Sequence, residues 1–374
     1  MLKSFKLGNL DVFPNTILSP MDGVTDAPFR RLCRVLSGNR MGLLVSEFVP
    51  TDGDAVFCLS GHKQLKFFPE ESPFGIQIFG RFPDKMAIAA KKIAEELHPS
   101  FIEVNAGCPA PKVAGKGSGS GLLRDLPRLR EILHDVRSAL DSCECRLPLT
   151  LKCRIGWDDE SINVMETLKI AEGEGVEMIT VHGRTRMQGY NGLANWDWIG
   201  KVALAAKIPV IGNGDVNSVK VARERIETYG VSGVSIGRGA MHNPWIFGQI
   251  ADAWEGKPAR HMSANEALDV FELYYRFKLE DGASEMAALG RLKQLAARLC
   301  KGFCLMDSES ESSDAAMQVR QSLLTSETPE MFFDRLQSLR KGLASEMLFS
   351  PDRLVNLNGA KETELKFGNQ FAGR

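Results

Sequence analysis

The sequence predicts an α/β protein, a (β/α)8 barrel followed by a smaller C-terminal all-helical domain. Three observations carry this. Between residues 15 and 250, short β-type runs alternate with longer, charge-rich amphipathic segments, the pattern of repeated βα units. The runs number eight, and a span of about 240 residues suits a closed barrel better than the competing doubly wound open sheet. After Trp254-Glu255-Gly256-Lys257-Pro258 the β-type runs stop, and residues 264–343 read as helices. The expected division is residues 1–255 for the barrel, 256–346 for the helical domain and 347–374 for a polar, loosely held tail.

Each strand is recognised by the punctuation that ends it. Thr16–Leu18 runs into Ser19-Pro20-Met21-Asp22-Gly23, Leu43–Val45 into Ser46-Glu47-Phe48, residues 74–78 into Phe79-Gly80, and Phe101-Ile102-Glu103-Val104 into Asn105-Ala106-Gly107-Cys108-Pro109. Residues 149–151 lead to Lys152-Cys153-Arg154, residues 178–181 to His182-Gly183-Arg184-Thr185, residues 210–211 to Gly212-Asn213-Gly214-Asp215, and residues 234–236 to Gly237-Arg238-Gly239. Between them, residues 83–97, 126–140, 162–172 and 219–229 carry apolar side chains at helical spacing. In a barrel, polar residues at strand C-termini converge on one mouth, so these scattered motifs share a site.

Composition narrows the function. With 46 Lys+Arg against 47 Asp+Glu, the net charge of −1 provides no global field for nucleic acid, and any such binding must be local. Eight cysteines fall at no metal-ligand spacing, so no metal site is expected and the thiols are read as free in a reducing compartment. The first ten residues lack a leader-type apolar core, and no apolar run reaches membrane-spanning length, which predicts a soluble cytoplasmic protein.

Cys108 lies on a sharp turn after a buried strand, between Gly107, which tolerates positive φ, and Pro109, which fixes the backbone. It is either a reactive thiol or a small buried hydrophobe. The run Gly115-Lys116-Gly117-Ser118-Gly119-Ser120-Gly121 fits neither G-x-G-x-x-G nor a P-loop; it reads as a flexible lid beside Cys108 or as a solvated loop. Glycine turns after the seventh and eighth strands, with Arg238 between two of the glycines, suit a phosphorylated cofactor. Lys152 and Arg154 share one side of their strand and Cys153 faces the other, so both cations need an anion or an electron-rich ring unless they form a surface ion pair. His182 reads as a ligand contact or as a satisfied core histidine.

Taken together, Ser19-Pro20-Met21-Asp22-Gly23-Val24-Thr25-Asp26, Asn105-Ala106-Gly107-Cys108-Pro109, Lys152-Cys153-Arg154-Ile155-Gly156-Trp157, His182-Gly183-Arg184-Thr185, Asn213-Gly214-Asp215 and Ile236-Gly237-Arg238-Gly239 resemble the tRNA-dihydrouridine synthases over residues 15–250. The resemblance implies an FMN-containing TIM barrel with a helical tRNA-binding domain, using NADPH to reduce uridines of tRNA to 5,6-dihydrouridine. It implies FMN contacts at Pro20, Met21, Asp22, Gln77, Lys152, His182, Asn213, Gly214, Asp215, Gly237 and Arg238, with Cys108 as the catalytic acid and Asn105 as the uracil-positioning amide. Arg154 and Tyr190 resemble uracil contacts of the bacterial C-type branch, which modifies the D-loop, whereas Asn243-Pro244-Trp245-Ile246-Phe247 resembles the B-type branch. Pro111 stands before Lys112 where many members have a more flexible start, and the acidic stretch 307–314 is unusual beside RNA.

Arg291, Arg298 and Lys301 line one side of an expected helix and are candidate tRNA phosphate contacts; a solvated helix face is the other reading. In the implied reaction, flavin delivers hydride to C6 of uracil and Cys108, protonated near neutral pH, delivers a proton to C5. Two other functions share parts of the pattern: a flavin-dependent dehydrogenase of free pyrimidines, and a non-catalytic RNA-binding barrel. No membrane association and no stable protein partner are implied.

Overall fold

The computed structural model of the chain describes residues 4–52, 59, 63–258, 260, 262–305, 314–342 and 347–349. A hairpin of β1 (Phe5–Leu7) and β2 (Leu10–Val12) precedes the expected strands, and all eight of those form. They are β3 (Thr16–Leu18) and β4 (Leu43–Val45), followed, after the two-residue β5 (Val49–Pro50), by β6 (Phe74–Phe79), β7 (Phe101–Ala106), β8 (Leu149–Arg154), β9 (Met178–His182), β10 (Val210–Asn213) and β11 (Gly233–Ile236). Every strand in the ring is parallel to its neighbours, and pairing of β11 with β3, and of β3 and β6 with β4, closes it. β5 extends the same ring, pairing with the end of β6.

The period of two along each strand sorts side chains into an outer and an inner set. Ile102, Val104 and Ala106 of β7 face outward into the apolar layer shared with the helices, where Cys153 of β8 also lies. Inward, the floor of the barrel is apolar: Phe101, Met178, Ile211, Ile17, Leu43 and Val45 pack on Phe5, Leu7 and Val12 of the hairpin, which plugs the lower end. Gly75 makes room for this plug, since a Cβ there would come within 2.2 Å of the Phe101 ring. Above the floor the interior turns polar, through Gln77, Glu103, Asn105, Thr150 and Asn213, all buried. Polar groups in this position must satisfy one another, and their hydrogen bonds define the mouth.

The four helices expected between strands form at Pro83–Leu97, Leu126–Asp141, Val164–Gly173 and Val219–Tyr229. Beyond the barrel, helices Ala264–Glu280, Glu285–Leu299, Asp314–Leu324 and Pro329–Lys341 make up the C-terminal region. Their starts are written in sequence: Ser263 and Glu266 form a capping box, and the Ser284 and Thr328 side chains accept from first-turn amides. This region also holds a three-stranded antiparallel sheet of β12 (Met262–Ser263), β13 (Phe303–Leu305) and β14 (Met347–Phe349). Residues 347–349 therefore belong to a paired strand and not to a loose tail; three residues are too short for periodicity to reveal, and the partners lie far off in sequence. Of the acidic stretch 307–314, all but Asp314, the first residue of its helix, lies outside the described residues. No helix among the described residues is long and apolar enough to cross a membrane.

Ion pairs and a stacked ring join the helical region to the barrel. Lys278 Nζ donates to Asp26 Oδ2 at 2.7 Å, Lys66 pairs with Asp281 at 2.6 Å, and the Arg31 guanidinium stacks 4.0 Å from the centre of the Phe277 ring. On the mouth side, His242 Nδ1 lies 3.1 Å from the Arg298 carbonyl. Burial, reinforced by Lys301, Arg298 and Arg238, pushes His242 down from 6.5 to about 4, against the pull of that hydrogen bond. The unfolded chain then takes up a proton that the folded chain refuses, so stability is lost as pH falls through this window, by at most about 3 kcal/mol. His242→Asn keeps a donor for the carbonyl without the titration. Its stability relative to wild type, from urea denaturation, should rise on acidification from about pH 7 to about pH 4; a pH-independent offset would contradict this.

Candidate active site

The strand ends bring the expected residues to one mouth: Gln77 from β6, Asn105 from β7, Lys152 and Arg154 from β8, His182 from β9 and Asn213 from β10. Pro20, Met21 and the exposed Asp22 follow β3, and Gly237 and Arg238 follow β11. Cys108 is half-buried at the same mouth. Its turn is held from below by Asn105, whose Oδ1 accepts the amides of Gly107 and Cys108, each at 2.9 Å. From the side, Ser120 donates to the Cys108 carbonyl through its hydroxyl (2.8 Å) and its amide (3.2 Å). Gly119 permits this contact with φ +55°; a Cβ there would sit 2.9 Å from Val113 Cγ1 and 3.1 Å from Cys108 Cβ. Residues 118–123 are buried, so the later half of the glycine-rich run is a packed brace, neither flexible lid nor solvated loop. Pro111 opens a one-turn helix, Pro111–Ala114, which stiffens the exit from the turn. Burial, with some help from Asp22, pushes the thiol up, while the Ala110 amide, Arg154 and Lys152 pull it down; the net shift is upward, which leaves it protonated at neutral pH.

Lys152 and Arg154 point over the mouth, and neither forms a surface pair. Lys152 Nζ reaches Asn213 Oδ1 at 3.3 Å, and Asn213 donates to the Ser235 carbonyl at 2.8 Å. Burial lowers the Lys152 pKa despite the nearby Glu103 carboxylate. Glu103 itself is raised to about 7 by burial, against Lys152 and a 2.7 Å hydrogen bond from Gln77 Nε2. His182 is driven well below its usual range by burial and by four surrounding cations, Arg154, Lys152, Arg184 and Arg238, so it is neutral at physiological pH.

Two buried arginines anchor the loop that carries Tyr190. Arg154 Nε donates to the Gly107 carbonyl (2.9 Å), and its Nη1 donates to Thr185 (2.7 Å) and Gly189 (2.8 Å), linking the Cys108 turn to that loop. Arg184 Nη2 grips both carboxylate oxygens of Asp215, at 2.8 and 2.9 Å, and the Gly192 carbonyl, while Asp215 Oδ2 accepts the Ala194 amide at 2.7 Å. Asp215 holds this posture at φ +54°. Tyr190, 57% exposed, stands over the mouth with the Arg238 and Arg154 guanidiniums 5.0 and 5.6 Å from its ring centre.

A dihydrouridine synthase family model matches residues 17–335. The chain belongs to the dihydrouridine synthase family. It is 39% identical over 277 residues to a probable tRNA-dihydrouridine synthase of Rickettsia conorii, covering 74% of this chain and 81% of that one. It is 42% identical over 249 residues to tRNA-dihydrouridine synthase B of Pseudomonas putida, covering 67% and 71%. The letter B on the Pseudomonas relative agrees with the segment 243–247 and not with the C-type likeness of Arg154 and Tyr190. Among solved structures, histamine dehydrogenase of a Rhizobium species superposes with a TM-score of 0.51 at 9% identity, over 74% of this chain and half of that one, which shows a shared barrel fold.

This dihydrouridine synthase family enzyme leaves some of its motif residues with inward duties. Gln77 is fully buried and its amide is engaged by Glu103 and Asn105, and Arg154 is hydrogen-bonded to three backbone carbonyls. In the helical region, Arg291 donates to the Gly23 carbonyl at the barrel rim, while Arg298 and Lys301 lie half-buried at the end of the same helix and just past it. Glu103 and Arg184 received no role from the sequence. Glu103 is legible as a lone charge in an otherwise apolar strand, whereas nothing in His182-Gly183-Arg184-Thr185 marks Arg184 as the partner of Asp215, thirty-one residues further on.

Proposed function

We propose that the enzyme reduces particular D-loop uridines of tRNA to 5,6-dihydrouridine, with bound FMN as cofactor and NADPH as reductant. The observation that carries this reading is a protonated, half-buried thiol, Cys108, on a braced turn above a polar mouth. The residues fit FMN. Half-buried Lys152 calls for an electron-rich partner, Arg238 stands half-exposed beyond the last strand, and the helix Arg238–His242 opens at Gly237 at the end of that strand, where the family places a phosphate. Lys152, His182, Asn213, Gly214, Asp215, Gly237 and Arg238 would hold the cofactor together with Pro20, Met21 and Asp22, and Gln77 would support it from below.

Bound flavin supplies a hydride to one carbon of the pyrimidine double bond. Cys108 holds the proton for the other carbon at Sγ, and desolvation keeps it there until the base arrives. Asn105 orients the turn with its oxygen, Tyr190 covers the base, Arg154 ties the Cys108 turn to the loop that carries Tyr190, and neutral His182 adds no proton of its own. Extruding the base from tRNA costs a few kcal/mol, and contacts to the RNA backbone at Arg291, Arg298 and Lys301 offset it. Neutralising those three should flatten the dependence of log affinity on log salt by roughly 0.7–0.9 per lost phosphate contact; an unchanged slope would move the RNA elsewhere.

The deciding experiment reduces the flavoprotein anaerobically and follows flavin reoxidation with unmodified tRNA, uracil or orotate. Rapid reoxidation by tRNA alone, with dihydrouridine mapped to the D-loop, supports the proposal. Reoxidation by a free pyrimidine would indicate a small-molecule dehydrogenase, and a purified protein without flavin absorbance would favour a non-catalytic RNA-binding barrel.

A further inference from the structure

We propose that Glu103 is a positioning residue for Cys108, acting through the side-chain amides of Gln77 and Asn105. Four hydrogen bonds form a single directed chain. The Gly107 and Cys108 amides donate to Asn105 Oδ1, both at 2.9 Å; Asn105 Nδ2 donates to Gln77 Oε1 at 2.8 Å; Gln77 Nε2 donates to Glu103 Oε1 at 2.7 Å. Backbone amides can only donate, so they fix the Asn105 oxygen towards the turn and its NH2 towards Gln77. That in turn fixes Gln77 with its NH2 towards Glu103, and the chain needs an acceptor at its far end. Glu103 is that acceptor. Its carboxylate is buried and lies beside the Lys152 ammonium of the neighbouring strand, and Gln77 is fully buried too.

Without the acceptor, Gln77 has no reason to keep its amide in this sense. If it flips, its NH2 faces the Asn105 NH2, Asn105 flips in response, and two donors then confront the Gly107 and Cys108 amides. The turn must open to relieve that, exposing the thiol. A carboxylate on the strand that leads into the sulfur's turn therefore sets the geometry of the thiol without touching it, through a hydrogen-bond path that crosses to Gln77 on the neighbouring strand and returns.

The test compares Glu103→Met, which removes the acceptor, with Glu103→Gln, which keeps an acceptor oxygen and drops the charge. The main readout is the rate of Cys108 alkylation by iodoacetamide in flavin-free protein, read on the Cys108 peptide by mass spectrometry. Glu103→Met should raise it at least about tenfold, the equivalent of one buried hydrogen bond lost, and Glu103→Gln should restore the wild-type rate. In the flavin-loaded enzyme kcat should fall by a similar factor in the Met variant, with the KM for tRNA unchanged and kcat recovered in the Gln variant. This kinetic arm rests on the reading of Cys108 as proton donor; the alkylation arm needs neither flavin nor tRNA, so the two can fail separately. Wild-type alkylation in a folded Glu103→Met variant, or a folded Glu103→Gln variant that alkylates rapidly, would overturn the proposal. Should Glu103→Met not fold, Gln77→Met cuts the same chain one link nearer the thiol and must raise the alkylation rate in its place; a wild-type rate there overturns it equally.

Discussion

Cys108→Ala is expected to lower kcat for dihydrouridine formation by about 10²–10⁴-fold, the contribution of a positioned general acid, while flavin absorbance and tRNA affinity stay at wild-type levels. The separation follows from where the sulfur stands. It is half-buried and its turn is held by Asn105 and Ser120 through backbone groups, which the alanine variant retains. Removing the sulfur therefore leaves the turn in place and takes away only the proton at Sγ. Burial raises its pKa, so the thiol is already in the donating form and the wild-type rate should be flat from acid to neutral pH as far as this group is concerned. Cys108→Ser supplies an acid weaker still and should recover little. Single-turnover reoxidation of the reduced flavin by tRNA is the measurement. A near-normal rate in the alanine variant would remove Cys108 from catalysis and leave the family assignment standing.

How far the sequence reached can be judged at particular residues. Strand ends were legible because glycine, proline and polar clusters cut short, β-branched runs, and all eight fall where expected. The mouth was legible because parallel barrel strands deliver their C-termini to one place. What each polar side chain does there was not, since Gln77 and Arg154 have partners set by register between strands far apart in sequence. Gln77 pairs across to Glu103, and Arg154 reaches Thr185 and Gly189 over a loop. Glycine-rich composition also misled: in residues 118–121 small side chains permit close packing against the Cys108 turn, whereas composition alone suggested mobility. Strand β14 escaped because a three-residue strand has no period to detect.

The buried pair of Arg184 and Asp215 offers the second large effect. Arg184 is 2% exposed, and Asp215 meets its Nη2 with both oxygens. Asp215→Ala leaves a guanidinium inside the protein with no carboxylate, and breaking a buried pair in this way costs about 3–5 kcal/mol. The left-handed backbone at position 215 adds roughly 1–2 kcal/mol when a residue without a short polar side chain must adopt it. Two functional consequences follow, because Asp215 also accepts the Ala194 amide and Arg184 holds the Gly192 carbonyl. The loop carrying Tyr190 should loosen, seen as faster cleavage by a protease on the C-terminal side of Arg186 or Tyr190, and the KM for tRNA should rise. Urea denaturation gives the stability loss. The double variant Arg184→Met with Asp215→Ala removes both charges and should recover much of it, since an apolar replacement of both partners avoids the uncompensated cation. A single Asp215→Ala change costing less than about 1 kcal/mol, the value of an exposed pair, would mean that water reaches Arg184 and that the loop is held by other contacts.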